Sequence, residues 1–285
     1  MRSSIIDMTR TPEALRSRDF VGELARRLEC VVVDAGDVEI DPQYCLDGSA
    51  GATNRALTLT YLPLIRDAVR GVADDVAAAT RVVVIGGECT IHPAVVAGLR
   101  RDPDVPIGLI YFDAHGDFHT TQTTSSGNLW GMPLALACGR GDEDLIDSFG
   151  GPAVPEWACA HLGGQALDES EARALASSQV AHFGTGMLST PAGLAAFSAW
   201  VAATAPRVCG FYVAFDVDVL DGSGGLSVAL PEEHGMTAAT AAAVLDELAG
   251  QTQIMGMGIT TLALSHGNAE VAVRKIEDLI CRAFA

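Results

Sequence analysis

The chain has 285 residues, of which 49% are hydrophobic and 19% charged, and its formal net charge is −18. Disordered chains combine low hydrophobicity with high charge, so this balance describes a folded globular protein. The acidity, with no basic patch, excludes an electrostatic fit to nucleic acid or to an anionic membrane, and no apolar run approaches the about 18 residues that span a bilayer.

The first eleven residues lack the apolar centre of an export signal, so the cytoplasm is the expected location. Short β-branched runs then alternate with amphipathic stretches, which predicts an α/β sandwich of helices around a mostly parallel sheet. Eight strands are expected, over residues 4–8, 30–35, 81–85, 107–112, 157–162, 179–183, 210–215 and 253–259. Thr11-Pro12 and Thr190-Pro191 read as capping hydroxyls before a first-turn proline, and Thr237 as the cap of an alanine-rich helix. A helix over 55–78 is expected to break near Pro63, and a last helix over 268–284 to bury Val273, Ile276, Leu279 and Ile280. No repeat or linker interrupts the pattern, so residues 1–285 read as a single domain. The seven cysteines form no CxxC pair and read as reduced thiols. Lys275 is the sole lysine, which leaves a Schiff-base mechanism little to stand on.

Chemistry concentrates at two places. Asp113-Ala114-His115-Gly116-Asp117 follows the apolar run 107–112, and Asp216-Val217-Asp218 follows the run 211–215. In extended backbone, residues two apart point to one side, so each set converges at the carboxyl end of its strand. Open α/β sheets bind ligands at those ends. Four carboxylates and one imidazole suit a hard or borderline divalent cation, with manganese ahead of magnesium or zinc. A lone DxD reads more readily as caps and turns than as ligands, but the two motifs together point to metal. Gly222-Ser223-Gly224-Gly225 opens no helix at dinucleotide-binding spacing.

These segments, with Gly86-Gly87-Glu88-Cys89 and Ser126-Gly127-Asn128-Leu129-Trp130-Gly131-Met132-Pro133, resemble the ureohydrolases: arginase, agmatinase, formimidoylglutamase and their relatives. The resemblance covers almost the whole chain in order and implies the arginase-type three-layer α/β/α sandwich. It implies two manganese ions sharing a hydroxide, Mn2+ at one or two sites being the expected cofactor. Asp113 and Asp216 would bridge both ions, His115 and Asp218 would complete one site, and Asp117 with Cys89 the other. Hydroxide would add to the planar carbon of a guanidine, amidine or similar group, and Asp117 would relay a proton to the leaving amine. The implied partner is a small nitrogen-rich substrate; an oligomer of identical chains is compatible with the sequence.

The chain also departs from the family pattern. Cys89 stands where the family usually has histidine, and His92, three residues on, offers a substitute ligand. Trp130 replaces a proton-moving histidine; its ring either stacks on a planar cation or packs. Thr261 stands where the family usually presents a glutamate to the guanidinium, which disfavours unmodified arginine. Asp168 and Glu171 match acidic residues that hold an amino-acid ammonium, although Asp168 reads equally as a helix cap. Ser126 and Asn128 match residues near the substrate carboxylate, and His119 replaces an asparagine beside them, where it would bind a carboxylate or serve as the missing acid. Cys89, Phe118 and Thr123-Thr124 resemble the branch that hydrolyses hydroxyarginine in D-cycloserine biosynthesis. The expected activity is manganese-dependent hydrolysis of a C–N bond in a guanidino, hydroxyguanidino, amidino or ureido small molecule. The alternative is a catalytically altered member that binds a ligand or partner without turnover.

Overall fold

The computed structural model describes residues 8–39, 54–74, 80–265 and 267–285. Among them six strands form one sheet: β1 (Val82–Ile85), β2 (Gly108–Asp113), β3 (Cys159–Gly163), β4 (Ala181–Gly184), β5 (Phe211–Asp216) and β6 (Ile254–Thr260). Their order is β1-β6-β5-β2-β3-β4, and every pair is parallel. β2 and β5 are neighbours at the centre, in register from Gly108 beside Phe211 to Phe112 beside Phe215. Both are buried along their whole length, which requires cover on both faces and explains their unbroken apolar runs.

Two apolar clusters supply that cover. On one face Phe112, Phe215, Val213 and Ile259 pack with the helices Pro191–Thr204, Ala238–Ala249 and Ala269–Phe284. On the other, Tyr111, Leu109, Tyr212 and Ala214 pack with the helices Arg55–Asp74 and His92–Leu99. Layers of helix, sheet and helix are therefore as the sequence implies.

Three expectations need correction. The sheet has six strands, not eight. Segment 30–35 is described and forms no strand: Val31 and Val33 are 88% and 76% exposed, and Arg16 pairs with Asp34 and Asp37 instead. β-branched composition alone cannot order a strand that buries no face. Residues 4–7 of the first expected strand lie outside the described residues. The helix Arg55–Asp74 runs through Pro63 without ending, because Tyr61, Leu62, Ile65, Val69 and Ala73 bury one continuous face. Thr11 is not a cap: it lies inside its helix and its hydroxyl donates to the Leu262 carbonyl at 2.7 Å. Thr190 and Thr237 do cap, accepting from Gly193 N and Thr240 N at 3.0 Å.

Candidate metal centre

The carboxyl ends of β1, β2, β5 and β6 open onto one buried cluster. Asp113 is the last residue of β2 and Asp216 the last of β5. Beyond them the chain is not extended, contrary to the alternation expected from sequence. Asp117 takes a left-handed backbone at φ 49° and Asp218 sits in a 3-10 turn, Val217–Val219. The turn forms because Asp216 Oδ1 accepts from Asp218 N at 2.9 Å. Asp113 Oδ1 does the same for His115 N at 2.7 Å. Gly163 of β3 passes directly beside this corner at φ 123°, where a Cβ would lie 2.2 Å from the Asp113 carbonyl oxygen. Only glycine combines that backbone with that approach.

Two sets of donor atoms each lie within 4.8 Å of one another: Cys89, Asp113 and Asp117 form one, and Asp113, His115 and Asp218 the other. Asp113 belongs to both. Asp216 belongs to neither set, although its carboxylate is at hand. Cys89 Sγ donates to Asp216 Oδ2 at 2.8 Å and lies 3.9 Å from Asp113 Oδ2. Asp216 Oδ1 accepts from the Thr261 hydroxyl, and Oδ2 from the Thr260 hydroxyl at 3.3 Å. Tyr111 OH donates to Asp117 Oδ2 at 2.5 Å.

The electrostatics follow from burial. Asp113, Asp117 and Asp216 are each 3% exposed or less. Loss of hydration raises all three carboxyls well above the ordinary range, and their neighbours add to it: Asp218 and Asp216 for Asp113, Asp113 for Asp117, Asp218 for Asp216. Burial, then Asp216, likewise pushes the Cys89 thiol up. His115 goes the other way for a base: burial opposes its charge, but hydrogen bonds to Asp113 and Asp218 prevail and raise it to about 12. Among the described residues, no arginine or lysine pairs with any of these four aspartates; His115 is their cation. Such a concentration of buried negative charge, lacking a fixed basic partner, fits a divalent cation. Carboxylate, imidazole and thiolate are donors such a cation accepts.

The remaining residues from the sequence fall in four places. His119, Asp168 and Glu171 form a separate group: His119 Nε2 lies 2.9 Å from Asp168 Oδ2 and 3.8 Å from Glu171 Oε1. Asp168 is also a helix cap, its Oδ1 accepting from Ser170 N and Glu171 N at 2.8 Å. That bond to Glu171 N is the main reason its carboxyl falls to about 2. Trp130 is half-buried in the 3-10 turn Leu129–Gly131, which docks on the loop through a bond from His119 N to the Gly131 carbonyl at 3.1 Å. Ser126 is exposed and Asn128 half-exposed on the approach to that turn. Thr261 is buried and faces Asp216, in a left-handed backbone at φ 58° that is rare for a β-branched residue. His92 is not beside the donor atoms: Nδ1 lies 2.9 Å from Tyr212 OH and Nε2 3.2 Å from Thr260 Oγ1, and burial lowers it to about 3. Two surface cavities, of about 280 and 420 Å3, are lined by no residue of the cluster.

Sequence reasoning did not pick out Tyr111, Thr260, His161 or Glu232. Tyr111 carried a signal, being the one polar-tipped side chain in an apolar strand two residues before Asp113. His161 of β3 lies with Nε2 2.6 Å from the His115 carbonyl, which can only accept, so that nitrogen carries the proton. Glu232 Oε1 lies 3.5 Å from His115 Nε2.

Comparison with known proteins agrees with this geometry. The family model described as "Arginase family" matches residues 7–283. The arginase of Bacillus subtilis is 39% identical over 90 residues, a stretch covering 31% of this chain and 30% of that protein. The N(omega)-hydroxy-L-arginine amidinohydrolase of Streptomyces lavendulae is 29% identical over 205 residues, 71% of this chain and 68% of its own length. In fold, the crystal structure of Bacillus caldovelox arginase superposes with a TM-score of 0.85 at 24% identity, covering 96% of this chain and 91% of that one. With its sheet order, its shared Asp113 cluster and a family match across nearly its whole length, the chain belongs to the arginase family.

Proposed function

We propose that the chain is a manganese-dependent hydrolase of a C–N bond in a guanidino, hydroxyguanidino, amidino or ureido small molecule. The observation that carries this is the pair of donor sets sharing Asp113, built from buried carboxylates whose one basic partner among the described residues is His115, itself a donor. Cys89, Asp113, His115, Asp117, Asp216 and Asp218 would hold the cation. When bound it would polarise the substrate and lower the pKa of water toward neutrality.

The chain's own residues have distinct tasks. Tyr111 holds Oδ2 of Asp117, which leaves Oδ1 to accept a proton and pass it to the leaving amine. Asp216 is fixed by four donors, from Cys89, Thr260, Thr261 and the Asp218 amide, so its carboxylate cannot swing. Trp130 offers a planar face for a planar cationic group, an interaction of about 0.5–2 kcal/mol. Thr261 offers no charge, and its hydroxyl is taken by Asp216. A guanidinium therefore lacks an acidic partner at that position, which favours a less basic group such as a hydroxyguanidine. His119, held by Asp168 and Glu171, would serve as a polar anchor for the rest of the substrate. The net charge of −18 suits a nitrogen-rich cationic substrate in solution and neither nucleic acid nor membrane; the described helices include none long and apolar enough to cross a bilayer.

The test is a panel of guanidino, hydroxyguanidino and amidino compounds incubated with manganese-loaded protein, with release of urea, hydroxyurea or ammonia recorded. Turnover of hydroxyarginine above that of L-arginine is the expected result. The Cys89–Asp216 contact favours a second reading, ligand binding without turnover, because a protonated thiol there occupies an oxygen a cation needs. Tight binding of panel compounds with no product released by the manganese-loaded protein would select it.

A further inference from the structure

Glu232 belongs to no motif in the sequence, yet it faces a residue at the centre of the cluster. His115 is fixed at three points. Its amide donates to Asp113 Oδ1 at 2.7 Å, its carbonyl accepts from His161 at 2.6 Å, and its Nδ1 lies 3.3 Å from Asp113 Oδ1 and 3.1 Å from Asp218 Oδ2. The far edge of the ring, Nε2, lies 3.5 Å from Glu232 Oε1.

We propose that Glu232 is a positioning residue for His115, holding a proton on Nε2 so that Nδ1 presents its lone pair to a divalent cation. The inference rests on the proposed function, since it needs His115 to be a ligand. A cation held by Asp113 and Asp218 would take the Nδ1 side of the ring, and the one proton a neutral imidazole keeps would then sit on Nε2, where the Glu232 carboxylate holds it. The same carboxylate makes the ligating nitrogen more basic, which is why partners of this kind change metal affinity about 10–100-fold.

The backbone prepares this contact. Gly222 N donates to the Glu232 carbonyl at 2.9 Å, Met236 N to the Val219 carbonyl at 2.7 Å, and Asp221 N to the Met236 carbonyl at 3.0 Å. Gly235 packs so closely that a Cβ would lie 2.6 Å from the backbone of Leu220 and Asp221. The segment carrying Glu232 is thus stitched to the turn carrying Asp218. Two of the three acids that flank the His115 ring ride on one frame, Asp218 at Nδ1 and Glu232 at Nε2. A surface acid meeting a histidine by chance has no such support.

The experiment is equilibrium dialysis of manganese at one fixed pH against wild type, Glu232→Ala, Glu232→Gln and Glu233→Ala, with the metal-free melting temperature read for each. Glu233 is exposed and next in sequence, so it controls for charge alone. Glu232→Ala should bind manganese about 10–100-fold more weakly with its metal-free melting temperature unchanged. Glu232→Gln should fall between, because its amide oxygen still accepts from Nε2, and Glu233→Ala should match wild type. Should Glu232→Ala fail to fold, Glu232→Gln carries the comparison. Undiminished affinity in the Glu232 variants, or equal loss in Glu233→Ala, would overturn the role of Glu232 while leaving the metal site intact. A wild type that takes up no manganese would overturn both this inference and the proposed function.

Discussion

The thiol of Cys89 and the carboxylate of Asp216 meet at 2.8 Å, joining the loop after β1 to the end of β5 through the cluster's one sulfur donor. Burial pushes that thiol well above its ordinary range, so it holds its proton in the metal-free protein. A thiol must lose its proton to ligate, whereas a neutral imidazole already offers a lone pair. Cys89→His is therefore expected to raise manganese content toward two ions per chain, with wild type holding fewer after identical dialysis. Elemental analysis checks it. Two tightly held ions in wild type would show that Cys89 is already a competent ligand.

Asp113 lies in both donor sets, so Asp113→Asn should abolish manganese binding while the fold survives. The metal-free variant should melt close to metal-free wild type, because burial already favours the neutral form of Asp113 and Asp218 still faces His115. Circular dichroism melting with and without manganese measures both effects. A variant that melts lower and still binds the ion would refute this account of the cluster.

The pH dependence has a definite sign. Asp113, Asp117 and Asp216 have folded-state pKa values above their unfolded ones, so the stability they contribute is full below about 3.9 and is lost as pH rises through the folded values. His115, raised to about 12, contributes fully below about 6.5 and loses that contribution steadily above it. His92 and His161, both lowered to about 3, act only below about 6.5, where their contribution is lost as pH falls. Above about pH 6.5 the His115 contribution is being lost, and the metal-free protein should lose stability as pH rises toward about 9. Saturating manganese should flatten or reverse that slope, since binding releases the protons the site had held. Denaturant unfolding across this range, with and without manganese, is the measurement.

Tyr111 is the hydrogen-bond donor on Asp117 Oδ2. Tyr111→Phe leaves a buried carboxylate short of a charge-assisted partner, at a cost of about 1.5–3 kcal/mol in the ionised state. Manganese affinity should fall with it, because Asp117 then holds its proton more tightly. Unfolding free energy at neutral pH and manganese titration, read on the same variant, test the two consequences separately.

Gly258 of β6 lies beneath Tyr212 and His92, where a Cβ would come within 2.0 Å of Tyr212 OH and 2.9 Å of His92 Cε1. Gly258→Ala should destabilise by about 1–3 kcal/mol, as overpacking of a close-packed core does. It should also displace the His92–Thr260 contact, and so loosen the donor on Asp216. Denaturant unfolding checks the first effect, and manganese titration the second.

The sequence by itself determined the chemistry and the frame that carries it. Asp113-Ala114-His115-Gly116-Asp117 and Asp216-Val217-Asp218 follow unbroken apolar runs, and such runs can only be central strands, so their carboxylates had to meet at one end of a parallel sheet. The family resemblance was legible for the same reason: the motifs stand in order over the whole chain. Strands whose two faces are buried announce themselves, which is why 107–112 and 210–215 were located to within a residue or two. Tertiary structure decided what composition does not encode. Segment 30–35 has strand-like composition but finds no face to bury, and Pro63 sits in a helix that packing keeps whole. The ligand motifs do not converge by extended alternation but by a left-handed residue at Asp117 and a 3-10 turn at Asp218, each set by bonds formed only once the strands are assembled. Tyr111, Thr260 and His161 acquired their partners in the same way, through contacts between strands distant in sequence. Glu232 lies in a loop with no periodicity to mark it, and only the stitching of that loop to the Asp218 turn brings its carboxylate to His115.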